Sequence, residues 1–268
     1  MKITINLHKQ FNSMDKIISQ NEGFYHSFNE ILLATTVGVI SFPLSLGSLQ
    51  KLLFKPLRIT SKLPNSFVSI CGVVSVFISG VTASGAFIVT FKASNSYFCR
   101  DEMSRQESYF EFNTHQKDIF LWGFASLAIF KVFGGKGRYV IPSHLFWPGA
   151  FAKRSIPAAG RNYARPSVKK KLYLLGRRYG CHSCGKKRQK DFIADHIPPN
   201  KLVNSYQSQN FYPQCKTCSQ KQGGALSSLN SFNAIKTHGM TLRLYHFWLP
   251  VPLGVALLQN NFAEVCFV

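Results

Sequence analysis

Residues 181–218 read CHSCGKKRQKDFIADHIPPNKLVNSYQSQNFYPQCKTC. Cys181 and Cys184 form one pair and Cys215 and Cys218 form a second, each with two residues between the thiols. This spacing lets both thiolates of a pair face one ion, and two pairs supply the four sulfurs of a closed tetrahedral zinc shell. The sequence therefore predicts a structural Zn²⁺ site. Two disulfides, or four unrelated thiols, are the alternatives.

The segment between the pairs contains a short apolar run that is followed by an acid and an imidazole. Residues 192–194 suit a short strand, with Asp195 and His196 at its end and two prolines closing it. A carboxylate and a neutral imidazole can hold a hard cation and accept a proton near neutral pH. His182 lies inside the first pair, and we expect it to be exposed because four cysteines already complete the zinc shell.

This arrangement resembles the HNH endonucleases, in the subgroup whose treble-clef or ββα-metal zinc domain is braced by two CxxC pairs. The resemblance covers residues 178–230 and rests on the cysteine pairs, on Asp195-His196-Ile197-Pro198 and on Asn210. It implies a ββα-metal fold in which Asp195 binds a catalytic Mg²⁺ or Mn²⁺ ion. It further implies that His196 is the general base for water attack on a phosphodiester, and that Asn210 orients His196.

Two positions after the last cysteine depart from the family pattern. Ser219 stands where the family has a His or Asn as second ligand of the catalytic metal, and Gln222 stands where a lysine is usual. Ser219 is then the candidate second ligand, with water completing the shell. Two functions stay open: a metal-dependent endonuclease acting on nucleic acid, or a catalytically inactive membrane scaffold whose zinc module binds a protein partner or anionic lipid.

The charge of the chain is strongly positive and unevenly distributed. The 268 residues carry 32 Lys+Arg and 11 Asp+Glu, a formal net charge of +21. Residues 1–130 hold 11 basic and 8 acidic residues, whereas residues 131–268 hold 21 basic and 3 acidic residues. This imbalance excludes an acidic or neutral cytosolic enzyme and favours a membrane protein, a nucleic-acid binder or both.

The first half of the chain contains long stretches without charge. Residues 31–50 and 66–91 each reach the length of about 20 apolar residues that a helix needs to cross a bilayer. Buried core helices of a soluble domain are the alternative. The shorter apolar stretch 119–134 fits a third span or an interfacial helix. The sequence therefore predicts a multi-pass integral membrane protein with two or three transmembrane helices.

The basic residues predict an orientation in the membrane. The connection between the first two spans carries Lys51, Lys55, Arg58 and Lys62 and no acid. Short loops of this kind stay on the cytosolic or matrix side. A third crossing returns the basic C-terminal part to that same side, where thiols stay reduced, and this favours zinc over disulfides.

The predicted fold is an α-helical membrane anchor followed by a small α+β zinc-braced ββα-metal domain. The predicted segments are an N-terminal segment 1–30, a transmembrane region 31–135, a basic Pro/Gly linker 136–170, a zinc-binding HNH-like domain 171–235 and an apolar tail 236–268.

A basic surface surrounds the first cysteine pair. It consists of Lys169, Lys170, Lys171, Arg177, Arg178, Lys186, Lys187, Arg188 and Lys190, with Tyr173, Tyr179 and Phe192 interleaved. Cations of this density bind phosphates, and aromatic rings stack on bases, so DNA or RNA is one predicted partner. Anionic lipid headgroups are an equally weighted partner, because the same charges attract them.

Overall fold

The computed structural model describes residues 29–98, 116–204, 207–228, 232–241 and 243–248. Most of the predicted N-terminal segment, the acidic connection after the second apolar stretch, most of the apolar tail, Cys99 and Cys266 lie outside the described residues.

The described residues of the N-terminal half form three helices, and their apolar sequences explain how they pack. They are α1 (Asn29–Phe54), whose last part, Leu49–Phe54, is π-helical, α2 (Asn65–Phe98) and α3 (Gln116–Val132). Pro64 directly precedes α2 and its carbonyl accepts the first helical hydrogen bond, a position where the missing N–H of proline costs nothing.

The three helices run as an antiparallel bundle with α1 and α3 pointing the same way. At one end, Ile31 of α1 packs with Phe87 of α2. Further along the bundle, Leu46 of α1 and Phe130 in the last turn of α3 share a cluster with Val76 of α2. At the other end, Phe54, Val68 and Ile141 pack together. The α1–α2 connection therefore lies at the same end of the bundle as the C-terminal part of the chain.

The four-residue spacing of Ser75, Ser79 and Ala83 in α2 predicts the close approach of another helix. All three are buried, and a Cβ on the neighbouring Gly80 would lie 2.4 Å from Ser126 Oγ of α3. The bundle is thus closely packed inside while its outer faces remain apolar.

Much of the apolar surface of the bundle is exposed. Two helices, Asn29–Phe54 and Asn65–Ser94, are long and apolar enough to cross a membrane, and only 39% of the most apolar window of each is buried. The exposed apolar side chains include Leu32, Ile40, Leu44, Ile70, Val74, Ile78, Val89, Phe120, Leu121 and Phe124. The third predicted span forms a shorter apolar helix, Phe120–Val132.

The described residues of the C-terminal part form two small sheets, three α-helices and two short 3₁₀ helices. Strands β1 (Ser143–His144) and β5 (Ile235–Lys236) pair antiparallel, and β2 (Ile156–Pro157), β4 (Asn210–Gln214) and β3 (Ile193–Ile197) form a second antiparallel sheet in that order. The helices are α4 (Pro166–Tyr179), α5 (Lys216–Ser227) and α6 (Leu244–Trp248). Helix α5 runs unbroken through Gly223 and Gly224, where the sequence suggests an interruption.

The segment 136–170, which the sequence predicts as a linker, is folded and partly buried. It supplies β1 and β2, and Ile141, Leu145 and Ala150 are fully buried. Its prolines and glycines do not leave it solvated, because backbone partners satisfy its polar groups. The hydroxyl of Ser143, for example, donates to the Ser183 carbonyl and accepts from the Ala150 N–H.

One buried side chain fastens the bundle to the C-terminal part. The Gln50 Oε1 atom of α1 accepts hydrogen bonds from the N–H groups of His238 and Gly239, both at 2.7 Å. Its Nε2 donates to the Val140 carbonyl at 2.5 Å. A buried amide that satisfies three backbone groups fixes the relative position of the two parts.

Candidate metal centre and its surroundings

The four predicted zinc ligands meet at one buried point. The sulfurs of Cys181, Cys184, Cys215 and Cys218 all lie within 4.8 Å of one another, and all four residues are buried. Cys184 Sγ and Cys215 Sγ are 3.7 Å apart. Tetrahedral zinc with Zn–S distances of about 2.3 Å separates its sulfurs by about 3.8 Å, whereas a disulfide joins them at about 2.05 Å. The cluster therefore fits one zinc ion, and the five cysteines among the described residues are free thiols.

The first cysteine pair lies on a tight turn whose backbone conformation depends on two glycines. The Gly185 N–H donates to the Cys181 carbonyl, and the Cys181 N–H donates to the Lys186 carbonyl. Gly180 and Gly185 both have positive φ, 86° and 74°, a backbone region that favours glycine. The turn brings both sulfurs to the same side.

The second pair lies at the start of α5. Cys215 caps the helix, and its carbonyl accepts from the N–H groups of Cys218 and Ser219. The positive end of the helix dipole favours thiolates at this position. Hydrogen bonds from the other three sulfurs also lower the pKa of Cys215, whereas hydrogen bonding with neighbouring sulfurs raises the pKa of Cys218. A divalent cation bound by all four sulfurs would neutralise the charge of these neighbouring thiolates.

Asp195 lies beside this cluster, inside β3 rather than at the end of a strand, and its carboxylate is buried. The Asp195 Oδ2 atom accepts from His182 Nε2 at 3.1 Å and from Gln222 Nε2 at 3.2 Å. Burial raises the pKa of Asp195, and the hydrogen bonds from His182 and Gln222 act in the opposite direction. The same Gln222 amide donates to the Leu145 carbonyl at 2.8 Å. The carboxylate therefore joins α5 and the first cysteine turn to the sheet.

The expected exposure of His182 is wrong, because its side chain is only 1% exposed. Its Nδ1 accepts from the Gly149 N–H at 3.1 Å, so the ring proton lies on Nε2, which donates to Asp195. A side chain between two cysteine ligands points inward here because the carboxylate and a backbone N–H offer both ring nitrogens a partner.

His196 faces the opposite side of the sheet from Asp195. Successive side chains of a strand alternate between the two faces. The His196 ring packs on Phe211, with 4.5 Å between ring centroids, and its Nε2 donates to the Asn162 carbonyl at 3.1 Å. Asp195 and His196 are therefore neighbours in sequence whose side chains occupy different environments.

The remaining predicted site residues lie on the same ββα unit. Asn210 begins β4 and pairs with Ile197 of β3, so it lies next to the end of the strand that carries His196. Ser219 is half-buried in the first turn of α5. Among the described contacts, the helix residue that reaches the Asp195 carboxylate is Gln222.

Sequence reasoning missed the polar partners of Asp195. His182 and Gln222 carried a signal, since one lies between two cysteine ligands and the other stands where the resemblance places a lysine. Leu145 and Gly149 carried none, because their contribution is a backbone carbonyl and a backbone N–H.

The predicted basic surface is exposed along α4 and the loop that follows Cys184. An open groove of about 470 Å³ is lined by Tyr173, Arg177, Arg188, Gln189 and Lys190. Phe192, which the sequence offers as a stacking residue, is instead buried and packs against Gly176 of α4 and the cysteine cluster. Tyr173 remains 37% exposed and forms one wall of the groove.

Comparison with protein-family models, with curated proteins and with solved structures finds no match for this chain. The resemblance to HNH endonucleases therefore rests on the motif residues alone.

Proposed function

We propose that this protein is a membrane-anchored, zinc-braced module that binds nucleic acid through the basic surface of α4 and the following loop, without hydrolysing it. The observation that carries the binding is the groove lined by Arg177, Arg188 and Lys190. The enclosure of the Asp195 carboxylate by His182 and Gln222 argues against hydrolysis.

Zinc has a structural role in this proposal. Four buried sulfurs complete a tetrahedral shell and leave no ligand position for a substrate. The ion ties the turn of the first cysteine pair to the start of α5. It thereby fixes the β3–β4 hairpin. Among the described residues, Phe192 is the one large side chain in the buried apolar cluster around the sulfurs.

The surroundings of Asp195 argue against a catalytic Mg²⁺ or Mn²⁺ ion there. A hard divalent ion needs carboxylate lone pairs and room for several waters. Asp195 is 8% exposed, and its Oδ2 already accepts from an imidazole and an amide. His196, the general base that the resemblance implies, lies on the other face of the sheet. These side chains fit a structural network better than a hydrolytic centre.

The groove has the chemistry of a site for single-stranded nucleic acid. Arg177, Arg188 and Lys190 can pair with phosphates, and the exposed ring of Tyr173 can stack on a base. No acidic residue occurs between Asp118 and Asp191, so Asp191, which follows Lys190, is the nearest acid in sequence to these cations.

Membrane anchoring is supported by the exposed apolar faces of the bundle. A soluble core helix buries most of its apolar surface, whereas the two long helices leave about three fifths of their most apolar windows uncovered. In a bilayer, the hydrocarbon covers those faces. Either the two helices α1 and α2 or all three helices cross the membrane. The basic α1–α2 connection then favours the cytosolic or matrix side for the zinc module.

The nucleic-acid proposal is tested on the full chain purified in detergent. We expect fluorescence anisotropy to show binding of a labelled single-stranded oligonucleotide that weakens steeply with salt. The triple variant Arg177→Gln/Arg188→Gln/Lys190→Gln is expected to bind at least about tenfold more weakly. The control Lys216→Gln/Lys221→Gln/Lys236→Gln removes the same charge from the α5 side and is expected to bind almost normally.

The same preparation tests hydrolysis. Incubation with Mg²⁺ or Mn²⁺ is expected to leave the oligonucleotide intact in both the wild type and His196→Ala. Metal-dependent cleavage that His196→Ala abolishes would establish the endonuclease instead. Equal loss of binding in both triple variants would contradict the assignment of the groove as the nucleic-acid site. An absence of binding by the wild type would favour a protein partner for the module.

A further inference from the structure

The bundle gathers cations from three separate segments at one of its ends. Lys51 lies in the last turn of α1, Arg58 and Lys62 in the α1–α2 connection, and Lys131 and Lys136 at and just beyond the end of α3. All five side chains are exposed. We call these five residues the cationic girdle.

Packing contacts show that these segments share one end. Gln50 Nε2 donates to the Val140 carbonyl, and a Cβ on Gly72 of α2 would lie 1.9 Å from the Gly137 carbonyl oxygen. The residues that carry the girdle are therefore neighbours in space, although 85 positions separate Lys51 from Lys136 in the sequence.

Among the described residues of the three helices and the α1–α2 connection, no acidic side chain lies at this end of the bundle. The sequence has none between Glu30 and Asp101, nor between Asp118 and Asp191. Glu30 and Asp118 belong to the opposite ends of α1 and α3. The asymmetry is thus a property of the assembled bundle, with opposite ends of different charge.

Exposed apolar residues border the girdle. Leu52 is 72% exposed, Leu57 is 61% exposed and Val132 is 82% exposed. Trp147 is 39% exposed, with Lys62 Nζ 5.4 Å from the centre of its ring. Cations beside exposed leucines and a tryptophan form the pattern that proteins present at the boundary between hydrocarbon and headgroups.

We infer that the cationic girdle binds the headgroups of anionic phospholipids and so fixes the depth and orientation of the bundle. The exposed apolar side chains enter the hydrocarbon, while the lysines and the arginine reach headgroup phosphates. This inference rests on the proposed membrane insertion. It is independent of the nucleic-acid groove, which different residues line.

The test uses the full chain carrying Trp122→Phe and Trp248→Phe, so that Trp147 is the remaining tryptophan. The protein is reconstituted into phosphatidylcholine vesicles with and without a minor fraction of phosphatidylglycerol. Brominated forms of each lipid then quench Trp147, and the ratio of quenching gives the local preference for the anionic lipid. We expect a preference for phosphatidylglycerol that salt weakens.

The decisive variant is Lys51→Gln/Arg58→Gln/Lys131→Gln, which leaves Lys62 beside Trp147. It is expected to lower the preference for phosphatidylglycerol by about fivefold or more. The matched control Arg177→Gln/Arg188→Gln/Lys190→Gln removes three groove cations and is expected to keep the preference.

Each other outcome overturns a defined claim. Equal quenching by both lipids in the wild type would contradict the binding of anionic headgroups by the cationic girdle. Loss of the preference only in the control would assign lipid binding to the groove instead. Protein that stays in the aqueous phase and is quenched by neither lipid overturns membrane insertion, and the inference with it.

Discussion

At the scale of single residues, strand alternation decides what Asp195 and His196 can do. The motif places them side by side, yet β3 turns Asp195 toward α5 and His196 toward Phe211. The carboxylate then shares one oxygen between His182 and Gln222. Removing one partner of a buried hydrogen-bonded pair costs more free energy than the hydrogen bond contributes. The remaining partner stays buried, where neither a protein group nor water satisfies it.

The change Gln222→Leu tests this network. It leaves the Leu145 carbonyl and part of the Asp195 carboxylate without a donor, so the free energy of unfolding is expected to fall by about 1–3 kcal/mol. Gln220→Leu, on the exposed side of the same helix, is the control and is expected to change it by under about 0.5 kcal/mol. Denaturant titration of the zinc-loaded protein measures both, and equal effects would contradict the network.

His238 provides a prediction about pH. Burial, and then the charge of Arg243, lower its pKa to about 3, while an unfolded histidine keeps the ordinary value of 6.5. Between these values the unfolded chain binds the extra proton, so stability falls as pH decreases below about 6.5, by up to about 1.4 kcal/mol per pH unit. Above pH 6.5 the ring is neutral in both states, so His238 does not make the stability depend on pH.

The variant His238→Gln removes this titration. Thermal unfolding between mildly acidic and neutral pH is expected to show a shallower loss of stability in the variant than in the wild type. Zinc release by acid affects both proteins alike, so the difference between their slopes isolates His238. Identical slopes would show that the ring does not become protonated on unfolding.

At the scale of elements, backbone contact joins α2 to the short 3₁₀ turn Gly137–Val140. Gly72 and Gly137 face each other, and either Cβ would fall within the van der Waals distance of backbone atoms. A flexible side chain could move aside, but backbone on both sides cannot. This crossing therefore requires glycine on both elements.

The change Gly72→Ala is expected to lower the free energy of unfolding by more than about 2 kcal/mol, because the added methyl group would lie 1.9 Å from the Gly137 carbonyl oxygen. Gly85→Ala lies in the same helix with no atom within 4 Å of the added Cβ, and helix propensity should make it neutral or stabilising. Unfolding monitored in detergent compares the two variants. A similar effect of both would show that α2 does not pack tightly on this turn.

At the scale of the whole molecule, the two parts have different sources of stability. The bundle buries aromatic and aliphatic side chains along its full length. The hairpin next to the cysteines has a small core, and structural zinc typically supplies on the order of 10 kcal/mol to such a domain. Gln50 connects the two parts through backbone groups, and Val140, Ile141 and Tyr245 pack against the apolar core of the bundle.

Loss of zinc is therefore expected to unfold one part and spare the other. Chelation, or Cys215→Ser, should abolish protection from hydrogen exchange in residues 181–227 while residues 31–91 stay protected. Cys71→Ser is the control, since Cys71 is a half-buried cysteine of α2 outside the cluster. Full-length protein that contains no zinc and keeps its protection after chelation would contradict the assignment.

Local pattern determined several features of this protein. The CxxC spacing predicted the sulfur cluster, and the charge-free stretches predicted two long apolar helices, because both depend on short-range spacing and length. The small residues of α2 likewise predicted a close helix contact. The basic character of α4 follows from composition alone.

Only the tertiary structure decided how these parts meet. It turned the predicted linker into strands β1 and β2, buried His182 and Phe192, and brought Lys51 to the same end of the bundle as Lys136. Backbone carbonyls and N–H groups far apart in sequence hold these arrangements, as in the contact of Gln222 with Leu145. Every residue except proline carries the same backbone N–H and C=O groups, so the sequence gives no sign of which of them will pair.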